Sequence, residues 1–191
     1  MSTVSLFNVL FGNLSHTQTL QVFKAIDPRK DVDGFSPLNR TRLLTNSYEW
    51  YPYPCTPIGV YLLLSYYGIE VNGKHITVIG RSNIVGKPLA CLLENNDATV
   101  TLCHSKTRLE DLKELCKNSD IVISAVGKAG FVDSSFVGDR TRVVVDVGMN
   151  RDENGKLCGD VCFDEVKKVF DSRSEECWLT PVPGGVRFDD R

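Results

Sequence analysis

The stretch "VIGRSNIVGKP", Val78 to Pro88, decides how the rest of the chain is read. Two apolar residues run into Gly80; Ser82, Gly86 and Pro88 follow. An apolar strand that breaks at glycine and resumes as a helix forms a junction where backbone N–H groups and a positive helix end point at one spot, which suits an anion. Gly80 permits the turn, and Gly86 permits close approach of the backbone. The spacing is GxSxxxG, not GxGxxG, so taken alone it fits a plain tight turn as well as a phosphate site. Its neighbours choose between the two.

Upstream, "TPIGVYLLLSYYG" predicts a helix with Thr56 as N-cap, Pro57 at the first position and Gly68 as stop. "HITVIG" reads as a buried strand, and "NIVGKPLACLLENN" as a helix with Pro88 in its first turns. "ATVTLC", "DIVISAVG", "RVVVDVGMN" and "CWLTPVP" read as further strands. Between them lie "RLEDLKELCKN" and "CFDEVKKVF", which have helical spacing, and "VDSSFV", a short helix or turn. Strands separated by helices imply parallel crossovers, and Val-Ile-rich strands without polar alternation imply burial on both faces. The expected fold class is α/β: a doubly wound, Rossmann-like parallel sheet with helices on both faces, from about Thr56 onward. Before it, "HTQTLQVFKAI" places Leu20, Phe23 and Ile26 at helical spacing, "DPRKDVDGFSPLN" is dense in turn formers, and "NSYEWYPYPCTP" reads as extended.

The 191 residues are 42% apolar with a net charge of −2, enough for a core and no global reason to expect nucleic acid or an anionic membrane as partner. No apolar run is long enough to span a bilayer. The first residues lack a basic leader and no arginine precedes Arg29, so a cytoplasmic setting is expected ahead of a mitochondrial one. Seven cysteines, an odd count with no CxxC pair and no completing histidine cluster, are expected to be reduced thiols, with no metal site.

The second strand sharpens the ligand. An NAD site commonly carries Asp or Glu there to take the ribose 2′-hydroxyl. Residues 103–107 are "CHSKT", without a carboxylate, and Arg81 stands on the glycine turn. Hydroxyls and cations suit a 2′-phosphate, so NADP is expected over NAD, an ordinary solvated loop being the alternative. The small residues of "SAVGKAG" and "DVGMN" leave room for a flat ring at the same strand edge.

Taken in order, "KDVDGF", "PCTPIGV", "GRSNIVGKP", "CHSKT", "VVVDVGMN", "GDV" and "TPVPGGV" resemble the FolD-type methylenetetrahydrofolate dehydrogenase/cyclohydrolase family from about Leu14 to Val186. The resemblance implies NADP-dependent oxidation of 5,10-methylenetetrahydrofolate to the methenyl form, then hydrolysis to 10-formyltetrahydrofolate, within one-carbon metabolism and purine biosynthesis. It implies a folate substrate, a homodimer, and cofactor contacts at Gly80, Arg81, Ser82, Ser105, Thr107 and Met149, to which the turn reading adds Gly86. It implies folate contacts at Asp33, the one catalytic candidate, and at Pro183, Gly184 and Gly185. A carboxylate can take paired hydrogen bonds from an aminopyrimidine edge, and a Pro-Gly-Gly loop admits a flat ligand.

The chain departs from the family pattern in three places. No tyrosine has lysine four positions on, so the family's catalytic Tyr-x-x-x-Lys has no counterpart. "FNVLFGNLS" (Phe7 to Ser15) stands where the family has "VQLPLP", and "RFDDR" follows PGGV. The resulting expectation is a sequence truncated at both ends: residues 1–54 a remnant of a second α/β domain that binds folate, 55–186 the NADP-binding domain, and 187–191 a divergent tail. The remnant's Phe7, Phe11, Phe23, Phe35 and Trp50 are then expected to be partly exposed. The alternative function is an inactive NADP-binding or dimerisation module, or a truncated product.

Overall fold

The computed structural model describes residues 14–186. Phe7, Phe11, most of the Phe7–Ser15 segment and the 187–191 tail lie outside the described residues. Those described fall into two compact units, 14–55 and 56–186.

In the first unit, α1 (His16–Ala25) opens on a capping box in which Ser15 and Gln18 satisfy each other's backbone amides. Helix α2 (Pro37–Leu44) is N-capped by Ser36 with proline in its first turn, so "SPLN", expected to be turn, starts a helix instead. Between them Asp31 is buried and accepts hydrogen bonds from Phe35 N, Ser36 N and Asn39 Nδ2 at 3.0, 2.7 and 2.9 Å. Burial pushes the Asp31 carboxyl up, and these donors outweigh it, holding it below the usual carboxylate range. Trp50 is exposed as expected, but Phe23 is buried, its ring 5.3 Å from that of Phe35 and 4.6 Å from the Arg40 guanidinium. The described residues of this unit form helices and turns; the remnant of an α/β domain contributes no strand among them.

The second unit begins within α3 (Cys55–Tyr66), which starts two residues earlier than the Pro57 start that the Thr56 cap predicts. Its end is as expected: Gly68 is left-handed (φ +69°), Gly68 N donates to Ser65 O, and Ile69 N donates to Leu64 O. Then come β1 (His75–Ile79), α4 (Gly86–Glu94), β2 (Thr99–Cys103), α5 (Leu109–Lys117), β3 (Ile121–Ser124), a 3₁₀ turn (Ser134–Phe136) and β4 (Val143–Asp146). A short hairpin, β5 (Asn150–Arg151) with β6 (Leu157–Cys158), precedes α6 (Phe163–Asp171) and β7 (Trp178–Leu179). The hairpin was not expected, although its Asn154-Gly155 turn is a standard signal. Helix α4 starts at Gly86, because Asn83–Val85 belong to the preceding turn.

Five strands form one parallel sheet in the order β2-β1-β3-β4-β7, so the chain reverses direction across the sheet between β1 and β3. The two-faced burial read from the Val-Ile runs is realised. On one face Ile76, Val78, Ile121, Ile123, Val143 and Val145 pack with α3 and α4. On the other, Val122 and Val144 pack with α5, α6 and Phe136. Each buried aliphatic side chain contributes about 1.5–3 kcal/mol. The buried Thr77 hydroxyl is satisfied by Ser119 Oγ at 2.7 Å. No helix of the described residues is long and apolar enough to cross a membrane.

Leu64, 1% exposed, joins α3 to the sheet. We expect Leu64→Ala to lower the unfolding free energy in urea by about 2–5 kcal/mol, since the cavity cannot collapse between a helix and a sheet.

Candidate functional site

All of β1 to β4 end on the same edge of the parallel sheet, and the loops leaving that edge carry the cofactor candidates. Backbone hydrogen bonds stitch these exits together. Gly80 N donates to Cys103 O at 2.9 Å, Ala125 N to Ile79 O at 2.8 Å, and Val147 N to Ser124 O at 2.8 Å. Gly80 has φ +122°, and a Cβ there would overlap the Ala125 carbonyl. Only glycine fits this position.

Gly86 has a different role from the one its spacing suggests. A Cβ at Gly86 would overlap the Gly80 carbonyl oxygen. The close approach is therefore of α4 to the strand end. Ser82 is engaged as well: its hydroxyl accepts from Val85 N at 3.1 Å and Gly86 N at 3.3 Å. Its carbonyl accepts from Lys87 N, Pro88 has no N–H, and Leu89 N donates to Val85 O. The first-turn amides of α4, expected to be free for an anion, are thus satisfied within the chain. What the turn offers an anion is the helix dipole and the exposed Arg81 side chain.

The loop after β2 is a compact turn. Thr107 N donates to His104 O at 2.8 Å, and His104 N donates to Thr107 Oγ1 at 3.1 Å. Lys106 N donates to His104 Nδ1 at 3.2 Å. Ser105 and Lys106 are exposed. The Gly80–Cys103 hydrogen bond places this loop beside the Arg81 turn. Met149, on the β4 exit, is 43% exposed at the same sheet edge.

Two carboxylates that sequence reasoning passed over organise this edge. Asp146 closes β4. Its Oδ1 accepts from Gly148 N (2.8 Å) and Asp160 N (3.1 Å), and its Oδ2 accepts from Val161 N (2.8 Å). Asp160 is fully buried. Its Oδ2 accepts from Ser124 Oγ (3.0 Å), Val126 N (2.7 Å) and Gly127 N (3.1 Å), and its Oδ1 accepts from Lys128 N and Asn150 Nδ2 (both 2.9 Å). The available signal was an acid closing the otherwise apolar "VVVD" and another in "GDV", since a buried charge must find donors.

Pro183 and Gly184 are exposed, Gly184 has φ +102°, and Gly185 is half-buried. Beside this loop an apolar cavity of about 160 Å³ is lined by Leu63, Tyr67, Trp178, Pro181, Gly184 and Gly185. Within the first unit, Asp33 is half-buried and its Oδ1 accepts from the Cys55 thiol at 3.0 Å. Burial first, then the neighbouring Asp33, pushes that thiol up to about 11, so it stays a donor near neutral pH. All seven cysteines are free thiols, and no metal-binding cluster occurs among the described residues.

A model of the NAD(P)-binding domain of tetrahydrofolate dehydrogenase/cyclohydrolase matches residues 54–187. The chain belongs to the tetrahydrofolate dehydrogenase/cyclohydrolase family. The bifunctional protein FolD of Campylobacter concisus is 52% identical over 172 residues, covering 90% of this chain and 56% of that protein. The FolD dehydrogenase/cyclohydrolase structure from Campylobacter jejuni is 43% identical with a TM-score of 0.79, covering 87% of this chain and 56% of that one. The Trypanosoma brucei enzyme, solved with NADP cofactor and inhibitor, is 39% identical with a TM-score of 0.77, covering 90% and 57%. The chain thus spans little more than half the length of these family members.

Burial, foremost, pushes the Asp146 carboxyl up to about 6; the amides of Val161, Asp160 and Gly148 oppose the shift, and the neighbouring Asp160 adds to it. An acid raised above its ordinary 3.8 favours the folded state fully below that value and loses this contribution as pH rises through about 6. Carbon-13 NMR of the Asp146 carboxyl should give a midpoint near 6; a midpoint near 4 would show the site to be solvated.

Proposed function

We propose that this chain binds NADP at the carboxyl edge of its sheet and serves a methylenetetrahydrofolate dehydrogenase/cyclohydrolase. The reaction is oxidation of 5,10-methylenetetrahydrofolate to the 5,10-methenyl form and hydrolysis to 10-formyltetrahydrofolate. The observation that carries the cofactor reading is the acid-free loop His104–Thr107, hydrogen-bonded through Cys103 to the turn that bears Arg81. A carboxylate at that loop would accept from a ribose hydroxyl and repel a 2′-phosphate; Arg81, Lys106 and the Ser105 and Thr107 hydroxyls attract one. The residues fit the dinucleotide: the glycine turn has no side chain at Gly80, and Met149 and the loop after β3 border the same edge. The NADP-bound structure of the similar Trypanosoma brucei enzyme supports the assignment.

In this reading Gly80, Arg81, Ser82 and Gly86 form the phosphate turn, the last two by shaping it rather than by direct contact. Ser105 and Thr107 hold the 2′-phosphate, and Met149 packs on the cofactor. Bound NADP supplies the hydride acceptor. Asp33 takes paired hydrogen bonds from the pterin edge, and Pro183, Gly184 and Gly185 line the folate site. Residues 1–54 are assigned to folate binding and 55–186 to the cofactor. A homodimer in the cytoplasm, supplying formyl groups to purine biosynthesis, fits the family resemblance, and seven unpaired thiols fit a reducing compartment.

A second reading, an NADP-binding module without folate turnover, rests on one observation: none of the six tyrosines stands four residues before a lysine. A methenyltetrahydrofolate hydrolysis assay on this chain separates the two. Turnover well above the uncatalysed rate supports the enzyme, and background rates support the module.

Titration calorimetry tests the cofactor. We expect NADPH to bind more tightly than NADH, and Arg81→Ala to weaken NADPH about tenfold while changing NADH little, since a charge-assisted phosphate contact contributes about 1.5–3 kcal/mol. Equal losses for both would remove Arg81 from the 2′-phosphate, and no heat with either would reject the site.

A further inference from the structure

Asp160 lies between β6 and α6, more than thirty residues from the loop after β3. It nevertheless takes three consecutive amides of that loop, Val126, Gly127 and Lys128, together with the Ser124 hydroxyl at the strand end. The backbone curls around this carboxylate as a nest curls around an anion. The same side chain also holds Asn150, at the end of the loop that exposes Met149. Gly148 is part of this arrangement, because a Cβ there would overlap the Asp160 carboxylate.

The side of the sheet on which this happens matters. The strand order reverses between β1 and β3, and a dinucleotide lies across such a point. The Arg81 turn and the His104–Thr107 loop lie at β1 and β2, which places the phosphorylated adenosine half there. The loops tied to Asp160 leave β3 and β4, on the other side. They expose Val126 at 38% and Met149 at 43%, apolar side chains suited to a nicotinamide ring. With their amides turned onto Asp160, residues 126–128 keep those polar N–H groups from this surface.

We propose that Asp160 is a positioning residue: by fixing the loops after β3 and β4 it governs binding of the nicotinamide half of NADP and leaves the adenosine half untouched. The inference rests on the NADP reading above and adds the residue that shapes half of that site. Asp160→Asn keeps the side-chain shape and replaces one acceptor oxygen with an NH₂ group, which must face at least one of the donors now satisfied.

The test compares two ligands on the full chain by calorimetry: NADPH, which spans both halves, and 2′,5′-ADP, which carries the adenosine half alone. Asp160→Asn should weaken NADPH roughly tenfold or more, as loss of a hydrogen bond to a charged group does, and change 2′,5′-ADP less than about twofold. Equal weakening of both, or no change in either, overturns the proposal, because a merely structural aspartate would not separate the two ligands. Wild-type protein that binds 2′,5′-ADP and NADPH while the variant shows no split rejects the positioning role alone. Wild-type protein that binds neither ligand rejects the NADP reading, and this inference falls with it. Should Asp160→Asn fail to fold, Asn150→Ala decides: it removes one donor from the β4 loop, and a severalfold loss confined to NADPH supports the role, whereas any other pattern overturns it.

Discussion

A carboxylate sealed away from water holds the ligand edge of this sheet in place. A buried carboxyl group without partners is costly; with five donors around it, Asp160 orders the loops that supply them. Asp146 is placed one step further in, accepting from the Asp160 amide itself, so the second carboxylate orients the segment that carries the first. Two glycines make this possible. A Cβ at Gly148 would overlap Asp160, and one at Gly159 would overlap Asp146. The exits of β3 and β4 are thereby fixed without regular structure of their own. A dinucleotide site needs such rigidity, since each loop left free must be ordered at a cost in binding free energy.

The glycine turn shows a complementary economy. The first-turn amides of α4 bond within the chain, to Ser82 and Val85, and proline removes one more. A helix start so satisfied keeps its dipole but lends little directed hydrogen bonding to a phosphate. In the proposed NADP site discrimination then passes to side chains, those of Arg81 and the His104–Thr107 loop. A cofactor distinguished by a 2′-phosphate is read by cations and hydroxyls, which is the chemistry these residues have.

The parallel sheet was legible because its signal is strong. Ile121–Ile123 and Val143–Val145 are apolar on both faces, Ile76–Ile79 is so but for Thr77, and helices of the right length separate them. The misses have particular causes. Helix α2 was hidden because Leu38 and Leu44 are 47% and 68% exposed, so no apolar face repeats, and its start uses the same Ser-Pro residues that mark turns. The start of α3 at Cys55 was hidden because a threonine before a proline resembles a cap whether or not it is already helical. Gly86 and Ser82 were legible as a motif but not in their roles: spacing cannot say whether a glycine makes room for a ligand or for another piece of backbone. Asp146 and Asp160 were harder still, because their partners are mostly main-chain amides, which every sequence has.

The same limit applies to "KDVDG", where two aspartates two residues apart look interchangeable. Their surroundings separate them. Both oxygens of Asp31 are committed to Phe35, Ser36 and Asn39, and the side chain is buried, so it fixes the turn between α1 and α2. Asp33 accepts at Oδ1 from the Cys55 thiol, and Oδ2 has no hydrogen-bond partner among the described residues. Paired donors from an aminopyrimidine need a carboxylate able to accept at two oxygens, and a thiol is the weakest donor such a ligand could compete with. Gly34 is left-handed, and a Cβ there would come within 2.5 Å of the Pro52 carbonyl, so the turn that follows Asp33 is fixed by backbone. The structural aspartate and the glycine together fix the turn that carries Asp33, and this accords with the proposal that places the folate contact at Asp33 and not at its neighbour.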